Sequence, residues 1–199
     1  MSVATTVAKP VAAHSWPVEA NEWYIESRWC SRRLFEEEQF EGDILDPCCG
    51  SGRIVEAARD LGYEAHGCDI VDRGYDYYAV CDFLKSGMAA DNIIMNQPFE
   101  LSEAFARQAM RRARRKVAMI MPTRRLNAAG AWIKELPLYR LWYLTPRPSM
   151  PPGPVALEYE AKGKEPSGGK QDFCWLVFLK GYDGRAEVRW LNRDKPKQA

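Results

Sequence analysis

The 199-residue chain is 46% hydrophobic and 28% charged, which fits one soluble α/β domain with a full core and leaves too little length for two. Its longest apolar runs, residues 117–121 and 173–179, are strand-length and exclude a membrane span; with no apolar signal segment near the N-terminus, a cytoplasmic protein is expected. A net charge of +1 gives no overall basic field, and the six cysteines (30, 48, 49, 68, 81 and 174) lack zinc-knuckle spacing, so they read as small buried thiols rather than a metal site.

Residues 1–20, rich in Ala, Val, Thr and Pro without periodicity, read as a mobile arm ahead of a single domain over 21–191. A short helix is expected over 27–38, with Cys30, Leu34 and Phe35 on one face. Strand and helix then alternate. A first strand ends at Asp46, and a helix over 52–61 aligns Ile54, Ala57, Ala58 and Leu61 before Gly62 stops it. Residues 64–68 form a second strand, and residues 92–95 a third that enters a turn at Pro98. Leu101, Phe105, Ala109 and Ala113 line one side of a helix over 101–116. A buried strand over 117–121 stops at Pro122, and residues 127–136 read as helical. Strands over 138–144 and 173–180 flank a Pro/Gly-rich stretch at 146–169, and a turn at 181–184 leads to a last strand over 187–191 and a polar tail over 192–199. There is no internal repeat. This alternation predicts a mostly parallel sheet with helices on both faces and a ligand crevice beyond the carboxyl ends of the strands.

Residues 44–53 read Ile-Leu-Asp-Pro-Cys-Cys-Gly-Ser-Gly-Arg: a strand ending in an acid, a turn with two glycines, and the start of a helix. The glycines allow a sharp bend and close approach of the backbone to a ligand. A dinucleotide site would want a third glycine where Val55 stands, and Asp46 would repel a pyrophosphate. The ammonium of S-adenosylmethionine suits Asp46 better. Asp69 ends the second strand, where an acid accepts ribose hydroxyls or serves as a plain loop acid, with Asp72 as its rival. In Cys81-Asp82-Phe83 an acid beside an aromatic can hydrogen-bond an adenine edge and stack on its face. Asn96-Gln97-Pro98-Phe99 follows the third strand directly. An aromatic amino group is a poor nucleophile because its lone pair is delocalised. The Asn96 carboxamide oxygen and the Gln97 carbonyl would accept its hydrogens and draw it towards pyramidal geometry, while Phe99 offers a stacking plate for a flipped base.

These strings, in this order, resemble the amino-methyltransferases of the class I Rossmann-like family, and among them the small adenine DNA methyltransferases of bacteria and their phages. The resemblance spans residues 22–121 and continues more loosely to about 180. It implies a seven-stranded sheet with the last strand reversed and S-adenosyl-L-methionine as cofactor. Residues 22–26, Glu-Trp-Tyr-Ile-Glu, resemble the upstream segment whose aromatic (Trp23 or Tyr24) packs near the cofactor. Asp46, Pro47, Cys48, Gly50 and Gly52 match the cofactor loop, Asp69 the ribose acid, and Asp82 with Phe83 the adenine contact. Residues 96–99 match the Asn-Pro-Pro-Phe/Tyr catalytic loop, departing from it at Gln97, where the main-chain carbonyl survives the change.

The resemblance implies nucleic acid, DNA in the first place, as partner. Adenine in DNA is the expected acceptor; an RNA base, a protein glutamine amide and a catalytically silent binding module are the alternatives. Arg111, Arg112 and Arg115 in a run with Arg107, Arg114 and Lys116, followed by Arg124 and Arg125, either contact phosphates or form a solvated helix face. The 146–170 stretch, with Arg147, Lys162, Lys164 and Lys170, is the candidate target-contacting loop.

Overall fold

A computed structural model describes residues 22–194. The arm at 1–20 and the end of the tail, 195–199, lie outside the described residues. The chain runs α1 (Arg28–Glu37), β1 (Ile44–Asp46), α2 (Arg53–Arg59), β2 (Ala65–Asp69), β3 (Ala79–Val80), β4 (Ala90–Met95), α3 (Ser102–Arg112), β5 (Ala113–Pro122), α4 (Leu126–Ile133), β6 (Leu138–Thr145), α5 (Gly153–Ala161), β7 (Phe173–Leu179) and β8 (Glu187–Asn192). Single 3-10 turns, Phe99–Leu101 and Thr123–Arg125, lead into α3 and α4. No helix among the described residues is long and apolar enough to cross a membrane.

The strands form one sheet in the order β3-β2-β1-β4-β5-β7-β6-β8. Every pairing is parallel except those of β7, which runs antiparallel to both β5 and β6. Alternation along the central strands builds two cores. On β5, Ala118 and Ile120 face the layer of α1 and α2, whereas Val117, Met119 and Met121 face that of α3 and α4. Both faces are covered there, so residues 117–121 of β5 and the whole of β7 read as unbroken apolar runs rather than alternating ones. Trp175 of β7 fills the first core and donates its indole N–H to the Cys30 carbonyl of α1 at 3.2 Å.

The expected fold class holds, with three differences of detail. The sheet has eight strands, because β3 spans only two residues and is too short to leave a periodicity. The reversed strand is β7, and β8 adds a parallel edge beside β6. Residues 113–116 belong to β5, not to the preceding helix. A continued helix would set Arg114 and Arg115 beside Arg111, and Arg115 and Lys116 beside Arg112, like charges at i,i+3 and i,i+4. As a strand, they reach separate carboxylates: Arg114 pairs with Asp43 and Asp91, Arg115 with Glu41, and Lys116 with the buried Glu38. The Pro/Gly-rich stretch also contains α5, which starts on Gly153-Pro154 and buries only Gly153 and Ala156.

Candidate active site

The chain steps from β1 outward to β2 and β3, then returns to β4 and β5 on the other side. The point where strand order reverses therefore lies between β1 and β4. Asp46 ends β1, and Asn96 follows β4 directly. Beyond these carboxyl ends lies a cavity of about 360 Å³, within the usual range for small-molecule sites. Its lining brings together Trp23, Tyr24, Asp46, Pro47, Cys48, Gly50, Asp69, Asp82, Phe83, Asn96 and Pro98, residues that lie up to 75 positions apart in the sequence.

The glycine loop is held from both sides. Gly50 sits at φ +54° and donates its N–H to Asp69 Oδ2 at 2.9 Å, while Tyr77 donates its hydroxyl to the Gly50 carbonyl at 2.7 Å. Gly52, at φ +84°, is the left-handed residue preceding α2; it packs beside Tyr75 and lies outside the cavity lining. Asp46, 1% exposed, accepts the Cys48 N–H at 3.1 Å. Burial pushes its carboxyl well above the usual range; the Cys48 N–H pulls the other way, and the carboxylates of Glu26 and Asp69 add to the rise. Burial, then the charge of Asp46, also pushes up the thiols of Cys48 and Cys49, which leaves them protonated and poor nucleophiles.

The segment before α1 forms another wall. An isolated bridge joins Tyr24 to Pro152, Ile25 donates its N–H to the Pro151 carbonyl at 3.0 Å, and Gly153 donates to the Trp23 carbonyl at 2.9 Å. The Trp23 indole is thereby wedged between Gly50 and Gly153, with the Arg73 guanidinium 4.2 Å from its ring centre. Asp69 rather than Asp72 faces the cavity. Asp72 caps an exposed turn through the Gly74 N–H.

The catalytic-loop residues divide. The Asn96 amide nitrogen donates to the Tyr24 carbonyl at 2.9 Å and to Glu26 Oε2 at 2.8 Å. Gln97 is 2% exposed and points away from the cavity: its amide nitrogen donates to the Ile120 carbonyl of β5 at 3.2 Å and to Ser102 Oγ at 3.3 Å. Phe99 does not line the cavity either; its half-buried ring lies 6.1 Å from that of Phe173. Phe83 is not a free plate, since it is buried and stacked on Phe105 at 5.9 Å. Glu26, Arg53 and Arg73 also line the cavity, and sequence reasoning assigned none of them a role. The only outward signal was their placement, Glu26 in the aromatic-acid string, Arg53 directly after the glycine turn and Arg73 four positions past Asp69.

The basic residues do not form one surface. Arg111 and Arg112 end α3 and Arg115 lies near the start of β5, so all three stand at the amino ends of the strands, opposite the cavity, where Arg115 pairs with Glu41. Arg124, Arg125 and Arg147 follow the carboxyl ends of β5 and β6, on the cavity's side. Arg125 is drawn to Glu100 and donates to the Phe99 carbonyl at 3.3 Å, clamping the loop after Pro98. Arg147 forks onto Asp172 at 2.7 and 3.3 Å, and Arg124 is exposed.

No family model and no curated protein sequence matches the chain. Solved structures do resemble it. A candidate RNA methyltransferase from Pyrococcus horikoshii superposes with a TM-score of 0.51 at 15% identity, over 77% of this chain and 80% of that one. A TehB-like SAM-dependent methyltransferase from Corynebacterium glutamicum gives 0.50 at 16% identity, over 75% and 86%. A SAM-dependent O-methyltransferase from Thermotoga maritima gives 0.51 at 11%, over 87% and 70%. With the strand order and the reversed β7, this likeness gives the chain the Rossmann-like fold of the class I methyltransferases.

Proposed function

We propose that the chain is an S-adenosylmethionine-dependent methyltransferase acting on an exocyclic amino nitrogen, with adenine in DNA as its acceptor. The observation that carries this reading is the fixed carboxamide of Asn96. A carboxylate and a carbonyl can only accept, so Glu26 and Tyr24 hold the NH₂ end and leave Oδ1 as the free acceptor. A target amino group needs such an acceptor for its hydrogens, in a preorganised position.

The cavity chemistry fits the cofactor. Asp46, Asp69, Asp82 and Glu26 make the lining acidic, which suits a ligand carrying an ammonium and a sulfonium. Three buried donors in the lining, Trp23 Nε1, Arg53 Nε and Arg73 Nε, have no hydrogen-bond partner among the described residues. Asp46 would hold the methionine ammonium, Asp69 the ribose hydroxyls, and Asp82 with the edge of Phe83 the adenine. When bound, the cofactor supplies an electrophilic methyl group. Asn96 Oδ1 and the Gln97 carbonyl would accept the two amino hydrogens of the target, and Phe99 would stack on the base. Adenine in DNA rests on the order of the sequence motifs, and tritium transfer from labelled cofactor to DNA, RNA and peptide acceptors tests it. Label appearing as N6-methyladenine in DNA is the expected result. Label in RNA or peptide moves the acceptor, and cofactor binding with no transfer to any acceptor overturns the enzymatic reading.

Asp46 makes a linked prediction. Because folding raises its pKa, the native state holds this proton more tightly than the unfolded chain does. Stability from this group is therefore greatest below the unfolded pKa and is lost as pH rises through the window up to the raised value. Asp46→Asn is expected to raise the melting temperature of the cofactor-free protein at neutral pH and to weaken cofactor binding. In the wild type, affinity should fall as pH drops through that window, because a proton competes with the cationic ligand. Calorimetric titration across pH checks this, and a pH-dependence that persists unchanged in Asp46→Asn assigns it to another group.

Target contact is assigned to Arg124 and Arg147, whose setting leaves them available: the Arg147–Asp172 pair is half-exposed and exchangeable. Replacing both with glutamine should weaken DNA binding and lower the log–log salt slope by about 0.9 per lost contact. The same change at Arg114 and Arg115 should leave the slope alone. The reverse outcome would move the interface to the amino ends of the strands.

A further inference from the structure

The geometry points to Glu26 as a positioning residue for methyl transfer, one that acts through Asn96; this rests on the function proposed above. Glu26 is 3% exposed, and its carboxylate makes no ion pair among the described residues. Its oxygens accept from two neutral donors instead, Ser31 Oγ on Oε1 at 3.0 Å and Asn96 Nδ2 on Oε2 at 2.8 Å. Arg53 holds its main-chain carbonyl at 2.7 Å, so the backbone beneath the carboxylate is also anchored. A buried charge without a salt-bridging contact is costly, and the nearby Arg53 guanidinium, with which it interacts, offsets part of that cost. What the carboxylate does in return is local. It can only accept, so it forbids the flipped carboxamide in which Asn96 would present NH₂ to a target amino group, donor against donor. A charged acceptor on Nδ2 also polarises the amide and strengthens Oδ1 as an acceptor.

Three variants separate this role from a merely structural one. Glu26→Met keeps the volume and removes both acceptors; kcat should fall about ten- to a hundredfold, the scale of a lost charge-assisted hydrogen bond, a larger effect than on the KM for the cofactor. Glu26→Gln should recover most of that loss, because its amide oxygen can face Asn96 while its NH₂ turns to Ser31 Oγ. In the Asn96→Ala background, Glu26→Met should cost nothing further, as for two residues acting as one unit. A readout free of turnover is the side-chain NH₂ resonance of Asn96 in ¹⁵N-labelled, cofactor-free protein, identified by its absence from Asn96→Ala. Its protons should exchange faster in Glu26→Met and stay protected in Glu26→Gln. Losses that multiply in the double variant, or Asn96 protons equally protected in Glu26→Met, overturn the inference. If Asn96→Ala transfers methyl groups at the wild-type rate, the proposed function fails; if Asn96→Ala is impaired and Glu26→Met is not, only the role of Glu26 does.

Discussion

Gly50→Val is expected to abolish measurable binding of S-adenosylmethionine while the domain stays folded. Gly50 stands at φ +54°, where a β-branched residue is strained by roughly 1–3 kcal/mol. The added Cβ alone would lie 2.8 Å from Trp23 Nε1, and the two methyls of valine would reach further into the indole. Relief requires the loop or Trp23 to move. Either movement spoils the cavity, since the Gly50 N–H fixes Asp69 and its carbonyl is held by Tyr77. A loss of affinity beyond about a hundredfold, roughly 2.7 kcal/mol, should follow. Gly62→Val is the control. It imposes the same left-handed strain at φ +87°, but nothing lies within 4 Å of its Cβ, so it should lower the melting temperature and spare the cofactor. A Gly50→Val protein that binds like the wild type would remove the cavity at the glycine loop from the cofactor's binding site.

The motifs that announced the site are those in which local backbone and chemistry coincide. Asp46 ends a strand and Asn96 follows one, and the alternation of elements was enough to place both at the carboxyl ends of the strands. The residues that escaped notice act across long separations. Glu26 meets Asn96 70 positions away, and the pairing of residues 23–25 with 151–153, with Arg53 on the Glu26 carbonyl, holds that segment over the glycine loop. No pattern within a window of sequence encodes such a contact. Arg114 and Arg115 illustrate the converse. Their local sequence reads as a helix end, yet pairing of β5 with β4 and β7 makes them strand, and Glu41, Asp43 and Asp91, distant in sequence, are their partners. Gln97 stands where the resembled family has proline. In the structure its side chain has left the cavity to tie the loop to β5 and α3, with Oε1 buried and unpartnered. Gln97→Pro would therefore remove a buried cross-link rather than simply restore a rigid turn.

Asn96→Ala should cut methyl transfer by at least about a hundredfold with little change in cofactor affinity. That is the scale of loss when one preorganised hydrogen-bonding group is removed from a transition state, roughly 2.7–4 kcal/mol. The asymmetry between turnover and binding follows from the contacts. Asn96 spends its nitrogen on Tyr24 and Glu26 and keeps its oxygen for the incoming amino group, whereas Asp46, Asp69 and the Gly50 loop would hold the cofactor without it. Alanine also leaves Glu26 Oε2 and the Tyr24 carbonyl without this donor, so a modest drop in melting temperature is expected alongside. Asn96→Asp is the sharper companion. A carboxylate there would confront the buried Glu26 at hydrogen-bond distance, and two like charges that close cannot both ionise. One of the pair should take up a proton, and transfer should gain a pH dependence beyond the one Asp46 gives the wild type. Calorimetry with S-adenosylmethionine, run beside tritium transfer to DNA, separates binding from turnover in both variants. Undiminished transfer by Asn96→Ala would falsify the amino-methyltransferase mechanism, because no other side chain among the described residues offers a fixed amide oxygen in the lining of this cavity.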